Sequence, residues 1–310
     1  MKEISIKDFA EIKIGQVENQ DAKTGCTVFI CPGGMRAGLD VRGGGPASRE
    51  SQLLDPRMAA QEIHGIVLAG GSAFGLETAS GVMRFLEEQD VGFDVGVTKV
   101  PLVVQSDLFD LTVGDAFVRP DVAMGYRAAK VAWESPNYQD GPFGAGCGAT
   151  VGKILGMERC IKAGMGSYAV EVDGLRVGAV VALNALGDVF DVDKGEQIAG
   201  PVSEDGSGFL NTAGIMTESG DVVDNRFVDN TTLAVVITNA RFEKSALCKI
   251  AGMAHDGYAR AISPVHTSYD GDSIYAVSVG DVAADQDVVG ILAAEVVTKA
   301  IAKAIYSAKG

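Results

Sequence analysis

A junction between a polar stretch and an apolar one carries the residues with the clearest chemical potential. In VDNTTLAVV, an acidic segment runs directly into a strand-like segment whose first residues are Asn230, Thr231 and Thr232. The Thr231 hydroxyl can attack the carbonyl of Asn230 and move the acyl group from nitrogen to oxygen. Hydrolysis of that ester would expose Thr231 as a new N-terminus. The alternative is that the threonine pair only reflects the β-propensity of a strand.

An N-terminal threonine would carry a nucleophile and a base in one residue. A free α-amine has an ordinary pKa of about 7.7–8.0, so a usable fraction is neutral near neutral pH. That amine can take the proton of the hydroxyl without help from a histidine. Acyl transfer at this junction therefore suits a chain with only three histidines.

Three glycine-rich patterns resemble known site motifs, but each departs from its motif. GGSAFG resembles the serine-hydrolase elbow around Ser72, but Phe74 stands where the second glycine belongs. GCGATVGKI resembles a phosphate-binding loop, but its glycine spacing is one short and Ile154 replaces the hydroxyl residue that holds magnesium. GAGCGA fits the loose dinucleotide pattern, but no strand precedes it. The sequence therefore favours neither a serine nucleophile nor a nucleotide site.

The histidines and the composition restrict cofactors, partners and location. His64, His255 and His266 are far apart in sequence and form no H-E-x-x-H pattern, so no metal or other cofactor is predicted. His255 and His266 are each interpreted as making structural hydrogen bonds. The net charge of −15 disfavours nucleic acid and anionic membranes. Five scattered cysteines without a C-x-x-C pair, and an N-terminus without the apolar core of a signal peptide, predict a reducing cytoplasm.

The elements that must position the junction alternate between strands and helices. Strands are predicted within CTVFICP, IHGIVLA, VPLVVQSDLFDLTVG, LRVGAVVALNALGDVFD and TTLAVVITNA. Helices are predicted within LETASGVMRFLEEQ, RPDVAMGYRAAKVAWES and EKSALCKIAGMAHDGYARAI.

Three further segments are predicted to lie at the surface. The stretch GGMRAGLDVRGGGPASRESQLLDP, with Arg42 and Arg49, is predicted to be a polar loop, and roughly residues 194 to 230 an exposed linker. Near the C-terminus, charged residues interrupt an apolar run at helical i,i+4 spacing, which indicates a packed surface helix and not a membrane span.

Six segments together resemble the DmpA-type family of L-aminopeptidases and D-esterase/amidases, relatives of nylon-oligomer hydrolase. In order, and over most of the chain, they are GLDVRGGGPASRESQLL, IHGIVLAGGSAFGLETASGVMRFLEE, GAGCGATVGK, VALNALGDVFD, NTTLAVVITNA and AHDGYARAISPVHTSYDGDSIYA. Family members cleave themselves before a Ser or Thr that opens a strand, which places the cut between Asn230 and Thr231. The resemblance is closest to the threonine branch, which includes the nylon-oligomer enzymes.

The resemblance also implies a set of residues around the nucleophile. Asp270 and Asp272 in SYDGDS match an aspartate pair that orients the threonine and its amine, and carboxylates near an ammonium raise its pKa. Asn184 in VALNALGD matches an asparagine whose amide stabilises the oxyanion or fixes the amine. Lys153 in GATVGK matches a lysine near the nucleophile. The chain departs from the family at Phe109, where some members carry a tyrosine.

Without the resemblance, these residues have simpler interpretations. The D-G-D segment would be an exposed turn, and Lys153 a surface lysine. Asn184 lies among apolar residues, where it needs a partner for structural or functional reasons.

The fold and activity implied by the resemblance are those of an N-terminal-nucleophile-type amide hydrolase. The implied fold is a four-layer αββα sandwich, one domain over residues 1–310 whose fragments 1–230 and 231–310 stay together after the cut. A homo-oligomer, a tetramer or larger, is implied. The substrate stays open among short peptides, β-peptides, D-amino-acid amides or esters and 6-aminohexanoate oligomers. The alternatives are an acyltransferase that uses an amine acceptor and a non-catalytic binding protein of the same fold.

Overall fold

The fold is built from many short strands and a few longer helices. The computed structural model of the chain describes residues 1–219 and 230–309. The strands in these residues are β1 (Lys2–Ile4), β2 (Lys13–Asn19), β3 (Thr24–Val41), β4 (Ala47–Arg49), β5 (Ile63–Ala69), β6 (Phe93–Asp94), β7 (Lys99–Val100), β8 (Val103–Asp107), β9 (Thr150–Val151), β10 (Ile161–Lys162), β11 (Met165–Val172), β12 (Leu175–Ala182), β13 (Asp188–Asp191), β14 (Glu196–Ala199), β15 (Leu233–Ala240), β16 (Ile262–Ser263) and β17 (Ser273–Val282).

The α-helices include the three predicted ones and the predicted C-terminal helix, and they add one more, α3. They are α1 (Thr78–Glu88), α2 (Val122–Glu134), α3 (Thr212–Ser219), α4 (Lys244–Ala261) and α5 (Gln286–Ala308). Asp121 caps α2, because its carboxylate accepts a hydrogen bond of 2.7 Å from the Met124 backbone N–H. None of the described helices is both long and apolar enough to cross a membrane.

Ten strands form one continuous hydrogen-bonded array that β3 divides into two halves. The order is β1-β11-β12-β15-β17-β3-β5-β8-β4, with β2 also paired to β3. The first part of β3 pairs with β2 and β5, and its last part pairs with β17. In the first half, β15 lies between β12, to which it is antiparallel, and β17, to which it is parallel. The strand that follows Thr231 is therefore central in its half.

Side-chain alternation gives each half two apolar faces, which places four layers on top of one another. Between the halves lie Phe29, Ile66, Leu68, Val180, Leu233, Val235 and Ile237. Helices α4 and α5 cover the outer face of the first half, where Val181, Ala234, Val236, Leu247 and Ile301 pack together. Helices α1 and α2 cover the other half through Val28, Val67, Ala69, Val82 and Ala128. This arrangement confirms the αββα sandwich and the prediction of strands buried on both faces.

Two surface predictions are wrong in part. Strand β3 continues to Val41 and β4 includes Arg49, whose guanidinium donates to the Leu76 carbonyl and the Ser80 hydroxyl. These strand segments contain polar and glycine residues and lack an apolar alternation. They form strands because they pair with neighbouring strands, so the sequence pattern did not predict them.

The predicted linker also contains ordered structure. Residues 196–199 form β14, and residues 212–219 form α3, whose first residue, Thr212, donates through its N–H to the buried Asp188 carboxylate at 2.9 Å. That pair is distant in sequence, so composition alone could not indicate it. Residues 220–229 of the predicted linker lie outside the described residues.

Candidate active site

Thr231 lies two residues before β15, at the end of the sheet where β15 and β17 begin and β12 ends. It is 3% exposed. The pairing of β15 with β17 extends back beyond both strands, through a parallel bridge between Asn230 and Asp270 and a hydrogen bond of 3.2 Å from Ser273 N to Thr232 O. The Asn230–Thr231 junction is therefore buried just before the first residue of the central strand β15.

The Asn230–Thr231 peptide is held by backbone hydrogen bonds on both sides of the bond. The carbonyl oxygen of Asn230 accepts from Gly271 N at 2.7 Å, and Asn230 N donates to Tyr269 O at 3.4 Å. Thr231 N donates to the carbonyl of Asn184 at 2.9 Å. A backbone N–H on the carbonyl oxygen is the arrangement that stabilises a developing oxyanion.

Gly271 also contacts the hydroxyl of Thr231. A Cβ atom added to Gly271 would lie 2.5 Å from Thr231 Oγ1, so a larger residue there would displace the hydroxyl. The hydroxyl and the carbonyl of Asn230 therefore lie against the same residue. Neither contact could be predicted from the sequence.

Asp270 and Asp272 flank Gly271 and are both buried. Asp272 Oδ1 accepts from Thr232 N at 2.8 Å, and Asp270 Oδ2 accepts from Thr267 N at 2.6 Å. Burial, together with the negative charge of Asp272, raises the pKa of Asp270 to about 7. The D-G-D segment is thus a buried part of the junction and not an exposed turn.

Asn184 and Lys153 reach the same place from another direction. Asn184 follows β12 and is fully buried; its Oδ1 accepts from Lys153 Nζ at 2.8 Å and from Thr150 N at 3.0 Å. Its side-chain amide donates to the carbonyl of Phe109 at 3.0 Å. In the uncut chain the backbone of Asn184, and not its side-chain amide, holds Thr231 N. Lys153 is buried, and its charge acts to lower the pKa of Asp270.

The structure brings together all the residues that the resemblance implied, and it adds two. His266 Nδ1 lies 2.8 Å from Asp272 Oδ2. Asp110 is buried near Lys153 and accepts from Gly71 N at 2.7 Å; burial raises its pKa. No sequence motif distinguishes either residue.

The remaining candidates contribute little chemistry. Phe109 is half-buried and lies at the site through its carbonyl, so no phenol is present at that position. Ser72 begins a 3₁₀ turn over residues 72–77. Within residues 1–219 and 230–309, no group of three or more His, Cys, Asp or Glu side chains could hold a metal ion.

Comparisons with known proteins agree on one family. The model of peptidase family S58 matches residues 5–310. An uncharacterised aminopeptidase of Mycobacterium leprae is 35% identical over 305 residues, which cover 90% of this chain and 80% of the relative. A 6-aminohexanoate-oligomer endohydrolase of Agromyces sp. is 30% identical over 285 residues, which cover 89% and 75%.

A solved structure shows the same fold. The L-aminopeptidase D-Ala-esterase/amidase of Ochrobactrum anthropi, a variant of the Ntn-hydrolase fold, matches with a TM-score of 0.64 at 16% identity. The match covers 96% of this chain and 84% of that one.

Proposed function

The chain belongs to peptidase family S58 and is a hydrolase of amide or peptide bonds. We propose that it first cleaves itself between Asn230 and Thr231. Thr231 then acts as its N-terminal nucleophile. The observation that carries the proposal is the position of Gly271, whose N–H binds the Asn230 carbonyl while its α-carbon lies against the Thr231 hydroxyl.

These contacts support self-cleavage in the following steps. Thr231 Oγ1 attacks the Asn230 carbonyl carbon, the oxyanion is held by Gly271 N–H, and the carbon–nitrogen bond breaks as the hydroxyl proton passes to the leaving nitrogen. Water then hydrolyses the ester. The products are a carboxylate at Asn230 and a free amine at Thr231, and the carbonyl of Asn184 remains in place to accept a hydrogen bond from that amine.

Substrate hydrolysis repeats the same chemistry at the vacated position. The substrate carbonyl replaces that of Asn230, the Thr231 amine takes the hydroxyl proton and delivers it to the leaving amine, and water releases the acyl group. The carboxylates of Asp270 and Asp272 orient this centre but strengthen the hold of the amine on its proton. The buried ammonium of Lys153 opposes that effect and keeps more of the amine in its basic form.

The two fragments are proposed to stay together after the cut. Strand β15 of the fragment 231–310 pairs with β12 of the fragment 1–230, and β17 pairs with β3. Separation would break both ladders and expose the core between the halves. We also propose a homo-oligomer of four or more copies and, from the scattered cysteines, a reducing cytoplasm.

Short peptides or amide oligomers are the proposed substrates, as the names of the two relatives suggest. A release assay on aminoacyl p-nitroanilides, β-amino amides and linear amide oligomers would choose among them. Neither the acyltransferase nor the non-catalytic alternative is favoured by the comparisons.

The proposal is tested by comparing two threonine variants. Thr231→Ala should leave a single uncut chain without hydrolytic activity, by intact-mass spectrometry and release assay. Thr78→Ala is the matched control, since Thr78 is a buried threonine of α1 whose hydroxyl has no partner among the described residues. It should give two fragments and normal activity. Cleavage or hydrolysis by Thr231→Ala would refute the proposal.

A further inference from the structure

A buried cluster of three polar rings lies behind Asp272 and has no part in the steps above. It consists of His255 and Tyr258 of α4 and His266 of the loop before β17. The centroid of the His255 ring is 4.8 Å from that of His266 and 5.2 Å from that of Tyr258, and Tyr258 lies 5.9 Å from His266. His255 and Tyr258 are fully buried, and the side chain of His266 is 17% exposed.

Asp272 connects this cluster to the nucleophile. Its Oδ2 lies 2.8 Å from His266 Nδ1 and accepts from His266 N at 3.2 Å, while its Oδ1 accepts from Thr232 N. We assign the proton in this contact to His266 Nδ1, because an ionised carboxylate only accepts hydrogen bonds. A chain of hydrogen bonds therefore runs from His266 through Asp272 to the residue after Thr231.

Three atoms of the cluster lack a hydrogen-bond partner among the described residues: His255 Nδ1, Tyr258 Oη and His266 Nε2. His266 also adopts a left-handed backbone with φ of 59°. Unpaired buried polar atoms and a left-handed non-glycine residue both reduce stability. Costs of this kind often collect at functional sites, where the strained geometry contributes to the mechanism.

We infer that His266 is a positioning residue for the reaction centre, acting on Thr231 through Asp272. The ring N–H of His266 fixes the Asp272 carboxylate in the orientation that binds Thr232 N. The same hydrogen bond partly neutralises the negative charge of the carboxylate, so the carboxylate raises the pKa of the Thr231 amine less. The inference rests on the proposed role of Thr231.

The charged and titratable groups around His266 favour this role over a structural one. Asp272 faces it from the start of β17, and His255 and Tyr258 face it from α4. Burial lowers the pKa of His255 to about 4 and raises that of Tyr258, so both stay neutral near pH 7. On β3, the carbonyl of Asp40 accepts from His255 Nε2 at 3.1 Å. Arg42 next to that strand is paired with the Asp40 carboxylate. His266 is thus the ring in contact with a carboxylate at the site.

Two variants of His266 separate its hydrogen bond from its bulk. In His266→Asn, the side-chain amide can donate from the position of Nδ1, and asparagine tolerates a left-handed backbone. In His266→Ala, the donor is lost. We expect the alanine variant to lose about tenfold to a hundredfold in kcat with little change in KM, because the centre is misaligned. The rise of kcat with pH should also shift to higher pH in the alanine variant, since the less neutralised Asp272 carboxylate raises the pKa of the Thr231 amine. The asparagine variant should stay within about threefold of the natural chain.

The measurements are made on full-length protein, with intact-mass analysis of the cut and kcat and KM on an aminoacyl p-nitroanilide. His64→Asn on β5 is the control for loss of a histidine away from the site. If the alanine variant does not fold, His266→Gly, which tolerates the left-handed backbone and has no donor, replaces it. An alanine or glycine variant with the kcat and pH profile of the control, or an asparagine variant as impaired as the alanine one, would overturn the inference. Failure of the Thr231 proposal is recognised separately, by hydrolysis that persists in Thr231→Ala.

Discussion

Ser72 and Thr231 are two hydroxyl residues beside strands, and they differ in what surrounds them. Ser72 follows β5 in a pattern close to a known hydrolase motif, but it lies in a turn where its own N–H donates to the Leu108 carbonyl at 3.0 Å. Thr231 precedes β15 without such a motif, and backbone groups from two distant segments hold the peptide bond beside it. A hydroxyl residue therefore becomes a nucleophile through the partners that the fold brings to it.

The two regions also use buried carboxylates differently. Near Ser72, Asp110 accepts from Gly71 N and fixes the course of the loop, and the charge of Lys153 acts to lower its pKa. Near Thr231, Asp272 accepts from Thr232 N on one oxygen and contacts His266 on the other, so it connects the centre to the His266 ring. Acids that hold a loop need only geometry, whereas acids beside an amine also set its basicity.

The largest expected effect is the difference in activity between variants of Thr231 and of Ser72. Thr231→Ala should lower kcat by about ten-thousandfold or more, because removal of a nucleophile abolishes the covalent route. Ser72→Ala should leave kcat within about threefold. Both variants are assayed by release from the same p-nitroanilide, and the account fails if the serine variant is the inactive one.

A smaller but still large effect is expected from Gly271→Ala. The added Cβ would lie 2.5 Å from Thr231 Oγ1 and push the hydroxyl away from the carbonyl of Asn230. We expect the rate of self-cleavage to fall by about a hundredfold, as measured by the appearance of fragments over time after synthesis. Gly45→Ala is the control, since a Cβ there has no neighbour closer than 3.9 Å. Equal cleavage rates for both variants would contradict this role of Gly271.

The smallest effect concerns stability and pH. Asp270 has a pKa of about 7 in the folded chain, well above the value of about 3.9 in an unfolded one. The folded state therefore binds more protons between these values, and the free energy of unfolding falls as the pH rises from about 4 to 7. In an uncut Thr231→Ala background, Asp270→Asn should remove part of that fall, as measured by denaturant unfolding across this pH range. An unchanged pH dependence would show that Asp270 is ionised throughout.

Much of the fold could be predicted because strands and helices buried on one or both faces leave periodic patterns. The apolar run of β15 and the capped start of α2 at Asp121 are examples. Strand β4 and helix α3 could not be predicted, because distant partners define them and their own apolar residues are few.

For the site, the resemblance indicated Thr231 and its aspartates, and the structure places them together. The part that sequence could not indicate is made of backbone groups and of side-chain contacts that depend on the local backbone conformation. Gly271 N–H has no side chain to reveal it, and His266 reaches Asp272 only through a turn with a left-handed residue. Spacing in the sequence made the histidines look unrelated, although the His255 and His266 rings are in contact.

The mass of the acylated protein shows directly whether Thr231 is the nucleophile. The natural chain is treated with a slowly hydrolysed aminoacyl ester, quenched in acid and analysed by intact mass and fragment sequencing. The account predicts two fragments, 1–230 and 231–310, with the acyl group on the fragment that begins at Thr231. A single uncut chain that hydrolyses the ester, or an acyl group on the larger fragment at Ser72, would contradict it.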